Sequence, residues 1–92
     1  MSEQSTMEAL ARLVPHGSRV LDLGCGNGAM LSYLQRERGC TGYGVEIDDA
    51  NVLACVQRGV DVIQLNLDEG LAMFGDNSFD VVLQIDTLQH LR

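Results

Sequence analysis

The densest chemical signal in the chain is Val20-Leu21-Asp22-Leu23-Gly24-Cys25-Gly26-Asn27-Gly28. An aliphatic stretch runs into three glycines at alternate positions, the composition a strand needs to turn sharply into a helix. Such a turn lets a ligand approach the backbone closely, and the first amides of the following helix lack intrahelical partners and face it. Gly24-x-Gly26-x-x-Ala29 also satisfies the dinucleotide fingerprint, so the glycines alone leave two chemistries open. Asp22 separates them. A carboxylate two residues before the turn repels a pyrophosphate and attracts an ammonium group, directly or through water. The full DxGxGxG pattern therefore favours a ligand whose charged tail is an amino acid rather than a diphosphate. The competing reading is an ordinary glycine turn beside a buried aspartate.

Three further positions extend the site. Glu46, twenty residues after Gly26, closes a second strand, where an acidic side chain can accept hydrogen bonds from both hydroxyls of a ribose. Dinucleotide enzymes use the same device, so Glu46 supports a nucleoside without choosing the cofactor, and its alternative is a solvated strand-end carboxylate. Ile47 can pack on a purine face. Asn66-Leu67-Asp68 follows the third strand, where the Asn66 amide and a backbone N–H at Leu67 can read an adenine edge. Gln84, Asp86 and His90 follow the fourth strand and are candidates for contact with the reacting group or for a general base, although a single helical His is commonly a surface residue. No catalytic residue is assigned. Cys25 lies in the turn, where its small size accounts for it, and Met7, Met30 and Met73 fit core or helix-face packing.

The elements that must position these residues follow from hydrophobic spacing. Met7, Leu10, Ala11 and Val14 predict a helix over residues 4–14, ended by Pro15 and Gly17. Residues 19–23 read as a strand and 29–38 as a helix with Met30, Leu31 and Leu34 on one face and Gly39 as its stop. A strand is expected over 41–47. A helix capped by Asp48 or Asp49 then runs through Arg58, with Val52, Leu53 and Val56 inward. Strands are expected over 60–65 and 79–85, the last buried on both faces. Between them lies a mixed connection with one helical turn over 71–74 and a turn at 76–78, and Thr87 opens a further helix. This β-α-β-α-β-β alternation predicts an α/β fold, a parallel sheet with flanking helices, in which the fourth strand lies beside the first. Nothing in the sequence would cover that fourth strand, so the domain is expected to be partial, cut off after it.

Composition narrows the function. The chain has 92 residues, 46% of them hydrophobic, with a net charge of −7. Lys is absent and the Arg residues are scattered, which argues against a nucleic-acid partner. Cys25, Cys40 and Cys55 are widely spaced, without the CxxC or Cys/His pairs of a zinc site, so neither metal nor disulfide framework is expected. No apolar run reaches the roughly 18–20 residues of a membrane span, and the first ten residues do not resemble a signal peptide; a reduced, cytoplasmic protein is expected.

With VLDLGCGNG, GYGVEID and the FDVV strand in place, the chain resembles the class I S-adenosylmethionine-dependent methyltransferases, whose fold is Rossmann-like. Within them, GYGVEIDDANVLACVQRGVDVIQLNLDEGL and TLQHL are similar to the methionine biosynthesis MetW family. The resemblance implies S-adenosylmethionine as cofactor. Asp22, Gly24, Cys25, Gly26 and Gly28 would then surround its methionine portion, Glu46 and Ile47 the nucleoside, and Asn66, Leu67 and Gln84 the remainder of the cofactor edge. It also implies a small-molecule substrate and a link to homoserine O-acyltransferase at the acylation step of methionine biosynthesis. The family commonly has Asp where this chain has Asn66, and its members are longer. The functions left open are methyl transfer, a cofactor-sensing accessory role beside the acyltransferase and, on the weaker glycine fingerprint, NAD-dependent oxidoreduction.

Overall fold

The computed structural model describes residues 3–74 and 79–84. Its elements are α1 (Glu3–Ala11), β1 (Arg19–Leu23), α2 (Ala29–Arg38), β2 (Thr41–Glu46), α3 (Asp49–Gln57), β3 (Val62–Gln64), α4 (Leu67–Phe74) and β4 (Val81–Leu83). The strands form one parallel sheet in the order β3-β2-β1-β4. Arg19 pairs with Thr41 and Leu23 with Val45, while Val20 and Asp22 pair with Val81 and Leu83. The fourth strand thus lies beside the first, as the alternation predicts. Strand order reverses at β1, and the carboxyl ends beside that reversal are where ligands of such sheets bind.

Alternate strand residues feed two cores. Val20 faces α1, α2 and α3, joining Ala11, Val14, Met30, Leu31, Leu34 and Cys55. Leu21, Leu23 and Val45 face the other way, against Leu65, Phe74 and Phe79. Tyr43, Phe74 and Phe79 form an aromatic cluster with ring centroids 5.7–6.5 Å apart, tying the end of α4 to the entrance of β4. Helices on both faces of a parallel sheet make this the doubly covered α/β architecture.

Several boundaries differ from the sequence reading, each for a local reason. The first helix ends at Ala11, not at residue 14. The Val14 carbonyl is instead taken by the Arg38 guanidinium, at 3.2 Å from Nε and 2.8 Å from Nη2, and Pro15 disfavours helix at the residue before it. In α3 the inward residue is Cys55, whereas Leu53 and Val56 are exposed. A small side chain is required there, because Cys55 packs directly against the backbone of Gly28. The strands β3 and β4 are shorter than expected, and Val82 is 51% exposed, so β4 is not buried on both faces among the described residues. Met73 is likewise exposed rather than packed. The connection after β3 is a full helix, α4, with no direct β-β step. The expected turn at 76–78 and the helix from Thr87 lie outside the described residues.

Gly70 is what lets α4 approach the sheet. A Cβ there would lie 2.9 Å from Val45 Cγ1 and 3.3 Å from Leu23 Cδ2. Overpacking of this kind costs about 1–3 kcal/mol, more than the helix propensity gained by replacing a glycine. Gly70→Val should therefore destabilise the chain by about 1–3 kcal/mol, read from the midpoint of urea denaturation; an unchanged midpoint would show that α4 does not press on β1 and β2.

Candidate cofactor-binding site

Because all four strands are parallel, their carboxyl ends share one edge of the sheet. That edge brings together the turn 22–28, Glu46 and Ile47, Asn66 and Leu67, and Gln84. Asp86 and His90 lie outside the described residues.

The glycine turn is fastened to β2 from two directions. Gly24 and Cys25 N–H both donate to the Val45 carbonyl, at 2.8 and 3.0 Å. Gly26 N–H donates to Glu46 Oε1 at 2.8 Å, and Asp48 N–H donates to Glu46 Oε2 at 3.1 Å. Glu46 is 9% exposed and Asp22 3% exposed, so two buried carboxylates flank the turn. Gly26 has φ +58° with open space where a Cβ would stand, and Gly28 has φ +82° with Cys55 Sγ only 2.9 Å from that position. One glycine faces outward to a ligand and the other inward to α3. Each carboxylate oxygen of Glu46 has a second lone pair, which leaves acceptors for ribose hydroxyls after both backbone bonds are made.

The loops after β2 and β3 are built by caps. Asp48 is the N-cap of α3, its carboxylate accepting from Asn51 N–H at 3.0 Å. Asn66 caps α4: its Oδ1 accepts from Glu69 N–H at 2.8 Å, and Glu69 Oε1 accepts from Asn66 N–H at 3.1 Å. This reciprocal capping box explains why a full helix forms where one turn was expected. Its Asn-x-x-Glu spacing was readable in the sequence and passed over. Gln64 was also missed; its amide donates to the Ile47 carbonyl at 3.0 Å and to Asp49 Oδ1, holding the loop after β2 against β3. Ile47 itself is 60% exposed, a bare apolar surface at the ligand edge.

The third missed group is Cys55. Its sulfur lies 3.6 Å from Cys25 Sγ beneath the turn, and its thiol donates to the Gly26 carbonyl at 3.3 Å. Burial, followed by the neighbouring Cys55 thiol and then the Asp22 and Glu46 carboxylates, pushes the Cys25 thiol far above its ordinary range. Burial raises Cys55 too, partly offset by its hydrogen bond with Cys25. Cys25 is therefore held protonated near neutral pH, where its sulfur is a slow nucleophile.

This fold, with buried carboxylates either side of a DxGxGxG turn, defines a class I S-adenosylmethionine-dependent methyltransferase domain. A solved S-adenosylmethionine-dependent methyltransferase from Archaeoglobus fulgidus superposes with a TM-score of 0.69 at 30% identity, over 88% of this chain and 37% of that one. An RNA methyltransferase from Salinibacter ruber, solved with S-adenosyl-L-homocysteine, gives 0.65 at 25% identity, over 75% and 52%. Residues 4–92 match the family described as methionine biosynthesis protein MetW, and the chain belongs to that family. The bifunctional methionine biosynthesis protein MetXA/MetW of Rhodopirellula baltica is 41% identical over 90 residues, 89% of this chain but 14% of that protein. The chain therefore spans a small part of that relative. No helix among the described residues is long and apolar enough to cross a membrane.

The buried thiols give a pH dependence. Above the ordinary thiol value near 9.0, Cys25 in the unfolded chain loses its proton while the folded chain keeps it. The unfolded state then binds fewer protons, so stability falls as pH rises. The melting temperature of the wild type should fall progressively as pH rises above about 9, and that of Cys25→Ala should fall less steeply. Parallel curves for the two proteins would show that Cys25 carries no such linkage.

Proposed function

We propose that the carboxyl edge of the sheet binds S-adenosylmethionine and that the protein serves the homoserine O-acylation step of methionine biosynthesis. The observation that carries this reading is the pair of buried carboxylates, Asp22 and Glu46, on either side of the glycine turn. S-adenosylmethionine brings an ammonium and a sulfonium cation, which such a surface favours, whereas a dinucleotide brings a diphosphate that it repels. In this reading Asp22, Gly24, Cys25, Gly26 and Gly28 receive the methionyl tail, Glu46 the ribose hydroxyls, and Ile47 the adenine face. Asn66 and the Leu67 N–H meet the adenine edge, and Gln84 borders the methyl group.

Bound there, the cofactor supplies an electrophilic methyl group. The chain's own part is to hold that group in place for a small acceptor, and such positioning accounts for much of the rate in transfers of this kind. A second reading, in which the domain senses the cofactor and supports a homoserine O-acyltransferase, is favoured by the relative that carries MetXA and MetW on one polypeptide. Transfer of labelled methyl to pathway metabolites supports the enzyme. Stimulation of acyltransferase activity by a protein that transfers no methyl supports the accessory role.

Adenine recognition should be sensitive to residue 66. Its single side-chain oxygen already caps α4, so that same oxygen must also meet the adenine amino group, whereas an aspartate could divide the two tasks between two oxygens.

Calorimetric titration tests the site. Asp22→Ala and Glu46→Ala should each weaken S-adenosylmethionine binding by about 1–3 kcal/mol, the scale of an unpaired polar contact, with no binding of NAD by the wild type. Unaltered affinity in both variants, or tight NAD binding, would place the site wrongly. Asn66→Asp should bind the cofactor more tightly than the wild type with α4 intact by circular dichroism; equal or weaker binding would remove residue 66 from adenine recognition.

A further inference from the structure

Beneath the cofactor turn, two thiols lie in contact, and that contact has no part in the reading above, which uses Cys25 only as one wall of the turn and Cys55 not at all. Cys25 Sγ and Cys55 Sγ are 3.6 Å apart and both are directed at one acceptor, the Gly26 carbonyl, at 3.7 and 3.3 Å. Each sulfur also fills a notch left by a glycine. A Cβ on Gly44 would lie 2.5 Å from Cys25 Sγ, and one on Gly28 would lie 2.9 Å from Cys55 Sγ. Cys40, the third thiol, faces the Pro15 and Arg38 carbonyls instead, away from this pair.

We infer that Cys25 and Cys55 are an oxidative modification site, closing to a disulfide that loosens the cofactor turn. The effect on the cofactor rests on the proposed binding site; the crosslink does not. A disulfide needs the sulfurs about 2.0 Å apart, so closing it from 3.6 Å requires the two side chains to turn toward each other and shifts the backbone they carry. Cys25 is 8% exposed and Cys55 wholly buried, which excludes a bulky oxidant such as glutathione disulfide and admits a small hydroperoxide.

The chemistry balances in two steps. The Cys25 sulfur attacks the terminal peroxide oxygen, the O–O bond breaks, and Cys25 sulfenic acid forms while the remaining oxygen leaves as water or an alcohol with the thiol proton. The Cys55 sulfur then attacks Cys25 Sγ, the S–S bond forms, the S–O bond breaks and water departs with the Cys55 proton. Two thiols are oxidised and one peroxide is reduced. Burial above all, then the neighbouring Cys55 thiol and the Asp22 and Glu46 carboxylates, keep Cys25 protonated, and burial raises Cys55 against the lowering effect of its hydrogen bond with Cys25 and of Arg58. The first step is therefore slow at neutral pH and quickens in alkali, as expected of a response to sustained peroxide rather than a rapid sensor.

Oxidation removes both thiol hydrogens, so the Gly26 carbonyl loses the Cys55 donor 3.3 Å away. It also draws each sulfur out of its glycine notch. The residue so released is the one whose N–H is bonded to Glu46. The turn then loses packing on its underside, where it had been held against α3.

The test uses the wild-type chain, reduced, treated with hydrogen peroxide, and re-reduced with dithiothreitol. Remaining thiols are alkylated under denaturing conditions and the peptides mapped by mass. The expected map has a Cys25–Cys55 link with Cys40 alkylated. Titration with S-adenosyl-L-homocysteine should show affinity falling several-fold on oxidation and returning on reduction, and Cys40→Ser should behave identically. Absence of the link while circular dichroism shows the fold intact overturns the modification site. A linked chain that binds as tightly as the reduced one overturns its effect on the turn. Failure of the reduced chain to bind at all would instead sink the cofactor reading, since the link is scored by mass alone.

Discussion

The carboxylate of Glu46 is the joint on which the site depends. One oxygen accepts from Gly26 in the turn after β1, and the other accepts from Asp48 at the start of α3. Two loops, one at Gly26 and one at Asp48, are thereby fixed to one side chain. A carboxylate bound to two backbone amides is stronger than a neutral pair and geometrically restrictive. Turn and loop are consequently arranged before any ligand arrives, which lowers the ordering cost of binding.

The sheet supplies the rest of the register. Parallel pairing of β1 with β2 sets Leu23 opposite Val45, so the Val45 carbonyl is left at the strand end to receive Gly24 and Cys25. Glycine is required wherever two layers meet too closely for a Cβ: Gly28 against α3, Gly44 against Cys25, Gly70 against β1 and β2. These contacts make the cofactor edge and the core a single packed unit. A substitution in one is felt in the other, because close-packed interiors transmit small displacements.

Much of this was legible in the sequence. The DxGxGxG turn, Glu46 at the end of β2, and the placement of β4 beside β1 all follow from short-range signals: glycine spacing, a strand-end acid, and strand–helix alternation. What escaped was of two kinds. The α4 helix was missed although Asn66 and Glu69 stand at capping-box spacing and Leu67, Leu71 and Phe74 recur at helical spacing, because the segment is short and Gly70 lowers its helix propensity. The inward face of α3 was misread because Leu53 and Val56 are larger and more apolar than Cys55, and hydrophobicity alone selects them. Which face turns inward is decided by volume. Only a small side chain fits against Gly28, and that constraint exists only in the folded structure.

The two ends of the site are therefore held by different physics. At the turn, buried carboxylates and packed sulfurs fix the backbone from beneath, and little of it reaches solvent. At the ends of β2 and β3, Asp48, Asn66 and Gln64 are surface groups whose hydrogen bonds cap helices or tie loops, each contributing on the order of 1 kcal/mol in competition with water. An element held by exposed caps opens more readily than one held by a core. Ligand contact with Ile47 and Leu67, both exposed apolar side chains, would add burial where the fold itself supplies least. The glycine turn is thus set by buried contacts, whereas the start of α4 and the exposed Ile47 side chain are held by surface ones.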